Sequence, residues 1–403
     1  MDLDALLVEL GQNNGSDLHI KTGRPPMFRV SGDLIPQTSY PEISAEDMKS
    51  TMGRLMGPER TRVFQQELEA DFSYEIPGFA RFRVNAFIQR GAIGAVMRLV
   101  PLEVPTLEKM GLPNVLKDLC DHPNGLVIVT GPTGSGKSTT LAAMIQYINR
   151  KYQNHIITIE DPIEFVYTDE LSCINQRELG LDTHELHRAL RAALRQDPDV
   201  ILMGEMRDAE TIHFAITSAE TGHLVFSTLH TNDAKQSLDR ILDTFEGPEA
   251  NQVRMQLGLV LRGVISQRLV KRADGQGRIA AIEIMLNTSY IKQLIEEGET
   301  RDLEKAIKEG AHYQMQTFNQ ALYALFSKGL INETEALASS SNPEDLQLMF
   351  RGIRTGTNSN EAMQAASGGM TVAPGKGNVS ASKPAEKPGS AADKKKPSRG
   401  FDF

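Results

Sequence analysis

Residues 125–150 read GLVIVTGPTGSGKSTTLAAMIQYINR, and this stretch decides the fold. Gly125–Thr130 is a short apolar run suited to a buried strand, and 139–150 has the spacing of a helix. Between them Gly131-Pro132-Thr133-Gly134-Ser135-Gly136-Lys137-Ser138 satisfies G-x-x-x-x-G-K-[ST] in full, in the strand–loop–helix setting that the motif requires. Each residue type has a physical reason. Glycines let backbone N–H groups curl around phosphate oxygens, and the helix N-terminus adds positive potential. Lys137 can reach the β and γ oxygens of a nucleotide, and Ser138 can ligate Mg²⁺, with Thr139 next in the same cradle.

Working outward, HIITIE (His155–Glu160), VILMGE (200–205) and HLVFSTLH (223–230) are further near-continuous apolar runs, as in a parallel sheet covered on both faces. Glu205 stands where a Walker B acid belongs, implying a direct or water-mediated role at Mg²⁺, although Gly204 occupies a place where many ATPases have Asp. HIITIE runs into Asp161-Pro162-Ile163-Glu164. Three carboxylates, Glu160, Asp161 and Glu164, therefore sit at the carboxyl end of a strand, where α/β sheets bind ligands, and one of them could orient or deprotonate an attacking water. His230 follows another strand of the same sheet and could donate a hydrogen bond to a terminal phosphate. Asp182 and Glu185 form a capping-box pattern ahead of Leu186, Ala189, Leu190, Ala193 and Leu194, which share one helical face. Beyond Gln252 the pattern predicts helices to about Phe350, apart from one strand at RIAAIEIML (Arg278–Leu286).

The first 112 residues read as a separate α/β domain. SDLHI, MFRVSGDLIP, ADFSYEI, ARFRVNAFIQ and AIGAVMRLV alternate apolar and polar residues between Gly- and Pro-containing turns. Ser44 and Asp47 open a helix through Met56, and a second runs from Pro58 to Leu68. A linker rich in proline (Pro101, Pro105, Pro113) comes next. Of the 403 residues, those from 352 onward are dominated by Gly, Ser, Ala, Pro and Lys, which cannot bury enough apolar surface to offset ordering, so a disordered tail is expected. The formal charge of −9 hides an asymmetry: that tail holds eight Lys and Arg against four Asp and Glu, leaving about −13 on the body. A body so acidic has no basic footprint, and no nucleic-acid partner is expected. Cys120 and Cys173, with no CxxC, can build neither a disulfide framework nor a four-cysteine zinc site. The acidic N-terminus lacks the basic and apolar regions of a secretory signal, which places the chain in the cytoplasm as an expectation.

In this order, GPTGSGKS, ITIEDPIE, ILMGEMRD and TGHLVFSTLHTNDA resemble the Walker A, Asp, Walker B and His boxes of the secretion ATPase superfamily. GSDLHIKTGRPPMFRVSGDLIP, FRVNAF, INQRELGLDT, ALRAALRQDPD and MQTFNQAL are similar to the type IV pilus retraction ATPases, the PilT and PilU group, over roughly residues 1–350. The resemblance implies an α/β chain with a PAS-like N-terminal domain (1–112), a RecA-like P-loop ATPase core (113–270), a mostly helical C-terminal extension (271–351) and a disordered basic tail (352–403). It implies a homo-hexameric ring that couples ATP hydrolysis to pilus retraction. Its expected partners are an inner-membrane platform protein and a paralogous retraction ATPase, and its expected place is the cytoplasmic side of the inner membrane. ATP and Mg²⁺ would be the ligands. Lys137 and Ser138 would hold phosphate and metal, Glu205 would assist Mg²⁺, Glu164 would be the base with Glu160 second, and Arg83 and Arg98 would reach the phosphates, Arg81 being a weaker candidate. Assembly and type II secretion ATPases resemble the same core but carry a longer N-terminal region and a four-cysteine zinc motif, so they stand second, beside an accessory ring subunit with little turnover. Within the retraction group, IEIMLNTSYI, MQTFNQALYALFSKGLI and NPEDLQLMFRGI tilt the reading slightly to PilU, FSTLHTNDA to PilT.

Overall fold

Two hydrophobic periodicities build two sheets in this computed structural model, which describes residues 1–30, 32–100 and 104–352. The alternating segments of the first hundred residues become β1 (Gly15–Lys21), β2 (Met27–Val30), β3 (Asp33–Pro36), β4 (Glu69–Ile76), β5 (Ala80–Gln89) and β6 (Ala92–Val100). They pair antiparallel in the order β3-β2-β1-β6-β5-β4. Alternation along β5 sends Phe82, Val84 and Ala86 into a core and leaves Arg81, Arg83 and Asn85 on the other face. Helices α1 (Leu3–Gln12) and α2 (Ala45–Glu67) close that core with Leu3, Leu6, Leu7, Met48 and Met52. Ser44 caps α2 by accepting from the Asp47 N–H at 3.0 Å. The break expected ahead of Pro58 is present at Gly57 (φ 67°, ψ 178°), because a proline disfavours helical backbone at the residue before it.

The second sheet contains β7 (Gly125–Thr130), β8 (His155–Glu160), β9 (Cys173–Glu178), β10 (Val200–Met203), β11 (Leu224–Leu229), β12 (Leu261–Lys271) and β13 (Arg278–Leu286). Their order is β13-β12-β7-β11-β10-β8-β9, and every neighbouring pair is parallel except β12 with β13. All residues of β7 and β11 are buried, as a strand covered on both faces demands. Leu126 and Ile128 face one core, with Ile157, Ile159 and Val225; Val127 and Val129 face the other, with Ile156, Leu224 and Phe226. The second core is closed by α3 (Val115–Cys120) and α4 (Lys137–Lys151). The first is closed by α5 (Leu186–Ala193), α6 (Ala209–Glu220), α7 (Ala234–Leu242), α8 (Gly247–Val260), α9 (Ser289–Glu297) and α10 (Leu303–Glu309). A smaller cluster joins Val270 and Ala281 of the sheet to Leu322, Ala336 and Leu346 on α11 (Phe318–Ser327), α12 (Glu333–Ser339) and α13 (Pro343–Phe350). The fold is α/β, with a PAS-like antiparallel sheet and a RecA-like P-loop sheet.

Two expectations change. Residues 261–271 are an interior strand where the pattern predicts continued helix. Pairing with β13 on one edge and β7 on the other satisfies the backbone of β12, and β7, which makes it an interior strand, lies too far back along the chain for a local pattern to reveal. A Cβ on Gly263 would meet the Met285 carbonyl oxygen at 2.9 Å, so the glycine marks close strand approach and not a helix end. The boundary expected between 270 and 271 consequently falls inside the β12–β13 hairpin. Second, α5 starts at Leu186, and Asp182 instead accepts from the Glu178 N–H at 2.8 Å, holding the turn after β9. Strand β9 has no local signature, since CINQRE is a half-exposed edge without an apolar run. The expected tail lies outside the described residues beyond Gly352. No helix among the described residues is long and apolar enough to cross a membrane.

Ile265 of β12 is fully buried, so Ile265→Ala should cost about 2–5 kcal/mol of stability in urea unfolding, far above the value for a surface helix position. On β13, Glu283 accepts from the Ala234 N–H at 2.8 Å, and burial pushes its carboxyl up to about 7. A raised carboxyl pKa means the folded state holds the proton more tightly. Its stabilising contribution is full below the ordinary 4.5 and is lost as pH rises towards 7. Glu283→Gln should therefore gain on the wild type across that window, by about 3 kcal/mol in pH-dependent denaturation.

Candidate nucleotide site

The parallel strands end side by side, and the residues leaving each of them face one cavity of about 450 Å³. After β7 comes the phosphate loop, at the end of β8 stands Glu160 with Asp161 and Glu164 just beyond, after β10 come Gly204 and Glu205, and after β11 comes His230. The walls include Thr133, Gly134, Gly136, Lys137, Ser138, Thr139, Glu160, Glu164, Glu205 and His230. Gly131, Pro132 and Ser135 shape the loop without lining the cavity.

The loop conformation requires its glycines. Gly131 has φ +145°, and a Cβ there would lie 2.4 Å from the Gln267 carbonyl oxygen and 2.6 Å from Ser135 Oγ. Gly136 has φ +90°, with Gln267 Nε2 at 2.7 Å from a notional Cβ. Gln267 is buried on β12 and braces the loop. Its Nε2 donates to the Ser135 carbonyl at 2.8 Å, and its Oε1 accepts from Thr140 Oγ1 at 2.7 Å. Helix α4 begins at Lys137 with no side-chain cap, so its first-turn N–H groups are free to bind an anion. Ser135 Oγ is buried and unpartnered within the same cradle. This donor set fits a polyphosphate.

Lys137 Nζ donates to the Gly131 and Pro132 carbonyls at 2.8 and 3.3 Å, which keeps the ammonium inside the loop. Burial lowers its pKa, opposed by the Glu205 and Glu164 carboxylates. Ser138 Oγ donates to Glu164 Oε1 at 2.9 Å, so the hydroxyl able to hold a metal and the preferred base are in contact. Glu205 Oε2 pairs with Arg207 Nε at 2.7 Å, and its Oε1 lies 3.7 Å from His230 Nε2. Arg207 also approaches Asp161 at 3.7 Å. The oxygens of Ser138, Glu164 and Glu205 in one small polar cavity suit a hard divalent cation such as Mg²⁺. Glu160 is held differently. Its Oε1 accepts from Thr158 Oγ1 at 2.7 Å and Gln176 Nε2 at 3.1 Å, and burial raises its pKa.

The arginines go elsewhere. Arg98 pairs with Asp17 at 2.8 Å on the neighbouring strand β1, and Arg83, opposite Arg98 across β5 and β6, is exposed; neither lines the cavity. Asp17 explains why Arg98 stays there. Burial alone would raise its pKa, but hydrogen bonds from Arg98 and Ser16 outweigh that and hold it low. Arg81 meets Glu178 at 2.7 Å. Sequence reasoning missed Arg207, Gln267, Leu269 and Arg278. Arg207 lies two residues after Glu205 and could have been found from that spacing. Gln267 and Leu269 lie on β12, which has no local signature; Arg278 opens the expected strand β13, but its place at the cavity depends on the pairing of β13 with β12.

The sequence model of the family described as Type II/IV secretion system protein matches residues 2–316. The type IV pilus retraction ATPase PilT of Pseudomonas aeruginosa is 48% identical over 345 residues, covering 86% of this chain and 100% of that protein. The type IV pilus ATPase PilU of the same organism is 44% identical over 351 residues, 87% of this chain and 92% of that protein. A solved structure of the pilus retraction motor PilT with bound ADP superposes with a TM-score of 0.81 at 42% identity, covering 86% of this chain and 99% of that one. These identities give the slight tilt towards PilU no support.

Gly136→Ala adds a Cβ at a positive φ against Gln267. It should weaken binding of a fluorescent ADP analogue by about tenfold or more, read by titration.

Proposed function

This chain belongs to the Type II/IV secretion system protein family, and from that footing we propose that it is a mechanical ATPase that retracts type IV pili. One observation carries the reading: a complete phosphate loop shares a cavity with Glu164, Glu205 and His230, on a chain that matches a retraction ATPase along that relative's whole length. ATP is the substrate. The first-turn N–H groups of α4 and the Lys137 ammonium bind its phosphates. Ser138 and Glu205 would hold Mg²⁺, which supplies charge neutralisation for the departing nucleotide.

Glu164 is the base in this reading. It sits beside Ser138 at the phosphate end of the cavity, whereas the Glu160 carboxylate is already engaged by Thr158 and Gln176. It orients a water and accepts its proton as the oxygen bonds to the γ-phosphorus. The bond from that phosphorus to the bridging oxygen breaks, leaving ADP and phosphate. His230, 3.7 Å from Glu205, offers a donor to the terminal phosphoryl group.

The larger assembly belongs to the same proposal. Residues 1–112 act as one domain and the P-loop sheet with its helices as the other, with the β12–β13 hairpin assigned to the ATPase core. Six copies form a ring at the cytoplasmic face of the inner membrane, working on a platform protein and beside a paralogous ATPase. Hydrolysis alters the angle between the two domains, driven by the different nucleotide affinities of open and closed interfaces. Arg83 and Arg98 reach phosphate only if the N-terminal sheet moves or a neighbouring copy presents them.

Lys137→Ala should abolish ATP turnover in a folded protein. Glu164→Ala and Glu205→Ala should each lower turnover at least about tenfold, about 1.4 kcal/mol of barrier, in a phosphate-release assay. If Glu164→Ala hydrolyses normally, Glu160 is the base. A deletion strain decides the direction of the motor: hyperpiliated, non-twitching cells support retraction, and bald cells overturn it in favour of assembly.

A further inference from the structure

We propose that Glu178 is a positioning residue for hydrolysis, coupling the N-terminal sheet to the segment that carries Glu164; the inference rests on the function proposed above. Glu178 is the last residue of β9, and its side chain is only 5% exposed. A carboxylate so deep is tolerated where its oxygens are saturated by partners, and these come from three separate places. Arg81 Nη2 on β5 donates to Oε2 at 2.7 Å, and Ser73 Oγ on β4 lies 2.9 Å from Oε1. The Ile163 N–H donates to Oε2 at 3.3 Å, one residue before Glu164.

The same strand grips that segment again through Gln176. Its Nε2 donates to Glu160 Oε1 and to the Phe165 carbonyl, and its Oε1 accepts from the Tyr167 N–H at 2.9 Å. Strand β9 therefore holds residues 160–167 from two positions, and Glu178 carries the link across to the other sheet. Arg81 is 17% exposed, so the ion pair is largely out of water, where its attraction is strong and poorly screened. Movement of the N-terminal sheet away from β9 would strand a buried carboxylate and loosen its hold on Ile163. The placement of Glu164 against Ser138 is thereby tied to the position of a sheet that does not line the cavity. A small misplacement of a catalytic group is enough to slow hydrolysis without weakening nucleotide binding.

The test uses full-length protein and measures kcat, KM and affinity for a fluorescent ADP analogue. Arg81→Ala and Glu178→Gln should each lower kcat about tenfold while the analogue's affinity changes less than about twofold. The double variant should be no slower than the worse single one, because both changes remove the same interaction. Arg81→Lys, which keeps the charge, should recover part of the loss. If Glu178→Gln fails to fold, Arg81→Ala and Arg81→Lys carry the test alone. Unchanged kcat, multiplicative losses in the double variant, or an Arg81→Ala that weakens nucleotide binding tenfold would overturn the inference. With an active wild type and a dead Lys137→Ala, those results leave the proposed function standing. A wild type that neither binds nor hydrolyses ATP overturns that function, and this inference with it.

Discussion

The site depends on β7 being paired on both edges, by β11 and by β12, and buried on both faces. Parallel pairing sends every strand out of the same edge of the sheet. The phosphate loop, Glu164, Glu205 and His230 come from four connections yet arrive at one cavity because the sheet leaves them nowhere else to emerge. The burial that makes these strands near-continuous in apolar residues also fixes the two ends between which the loop is strung. Glycines at positive φ hold the backbone where side chains would collide, and Gln267 from β12 fixes it from below.

Charge placement obeys a similar constraint. The body is acidic, yet arginines sit where a buried or half-buried carboxylate needs them. Arg98 answers Asp17 within the N-terminal sheet, Arg81 answers Glu178 between the sheets, and Arg207 answers Glu205 on the wall of the cavity. Each carboxylate is more buried than its arginine, which lets the guanidinium keep some water while the carboxylate gains a partner. Of these, Arg207 lines the cavity and Arg81 lies beside the segment leading to Glu164.

Local features could be read in advance. The period-2 runs of the first sheet, the cap at Ser44, the break before Pro58, and the strand–loop–helix from 125 to 150 depend on near neighbours in the chain. Non-local features could not. Strand β12 becomes interior only by pairing with the distant β7, and β9 is a polar edge whose hydrogen bonds serve β8 and the residues after it. Asp182 resembles a helix cap because its spacing to Glu185 is right, but the Glu178 N–H is the donor it meets.

Sequence by itself determined the chemistry available. A full phosphate loop in its setting, three acids after one strand, and a glutamate and a histidine after two others specify a nucleotide-hydrolysing cavity, since phosphate cradling and water activation require those residue types at strand ends. Tertiary structure alone decided which of them meet. It set Glu164 rather than Glu160 against Ser138, withheld Arg83 and Arg98 from the cavity, and brought Arg278 and Leu269 to its wall. These choices depend on which long-range partner each side chain meets, and spacing along the chain carries no record of that.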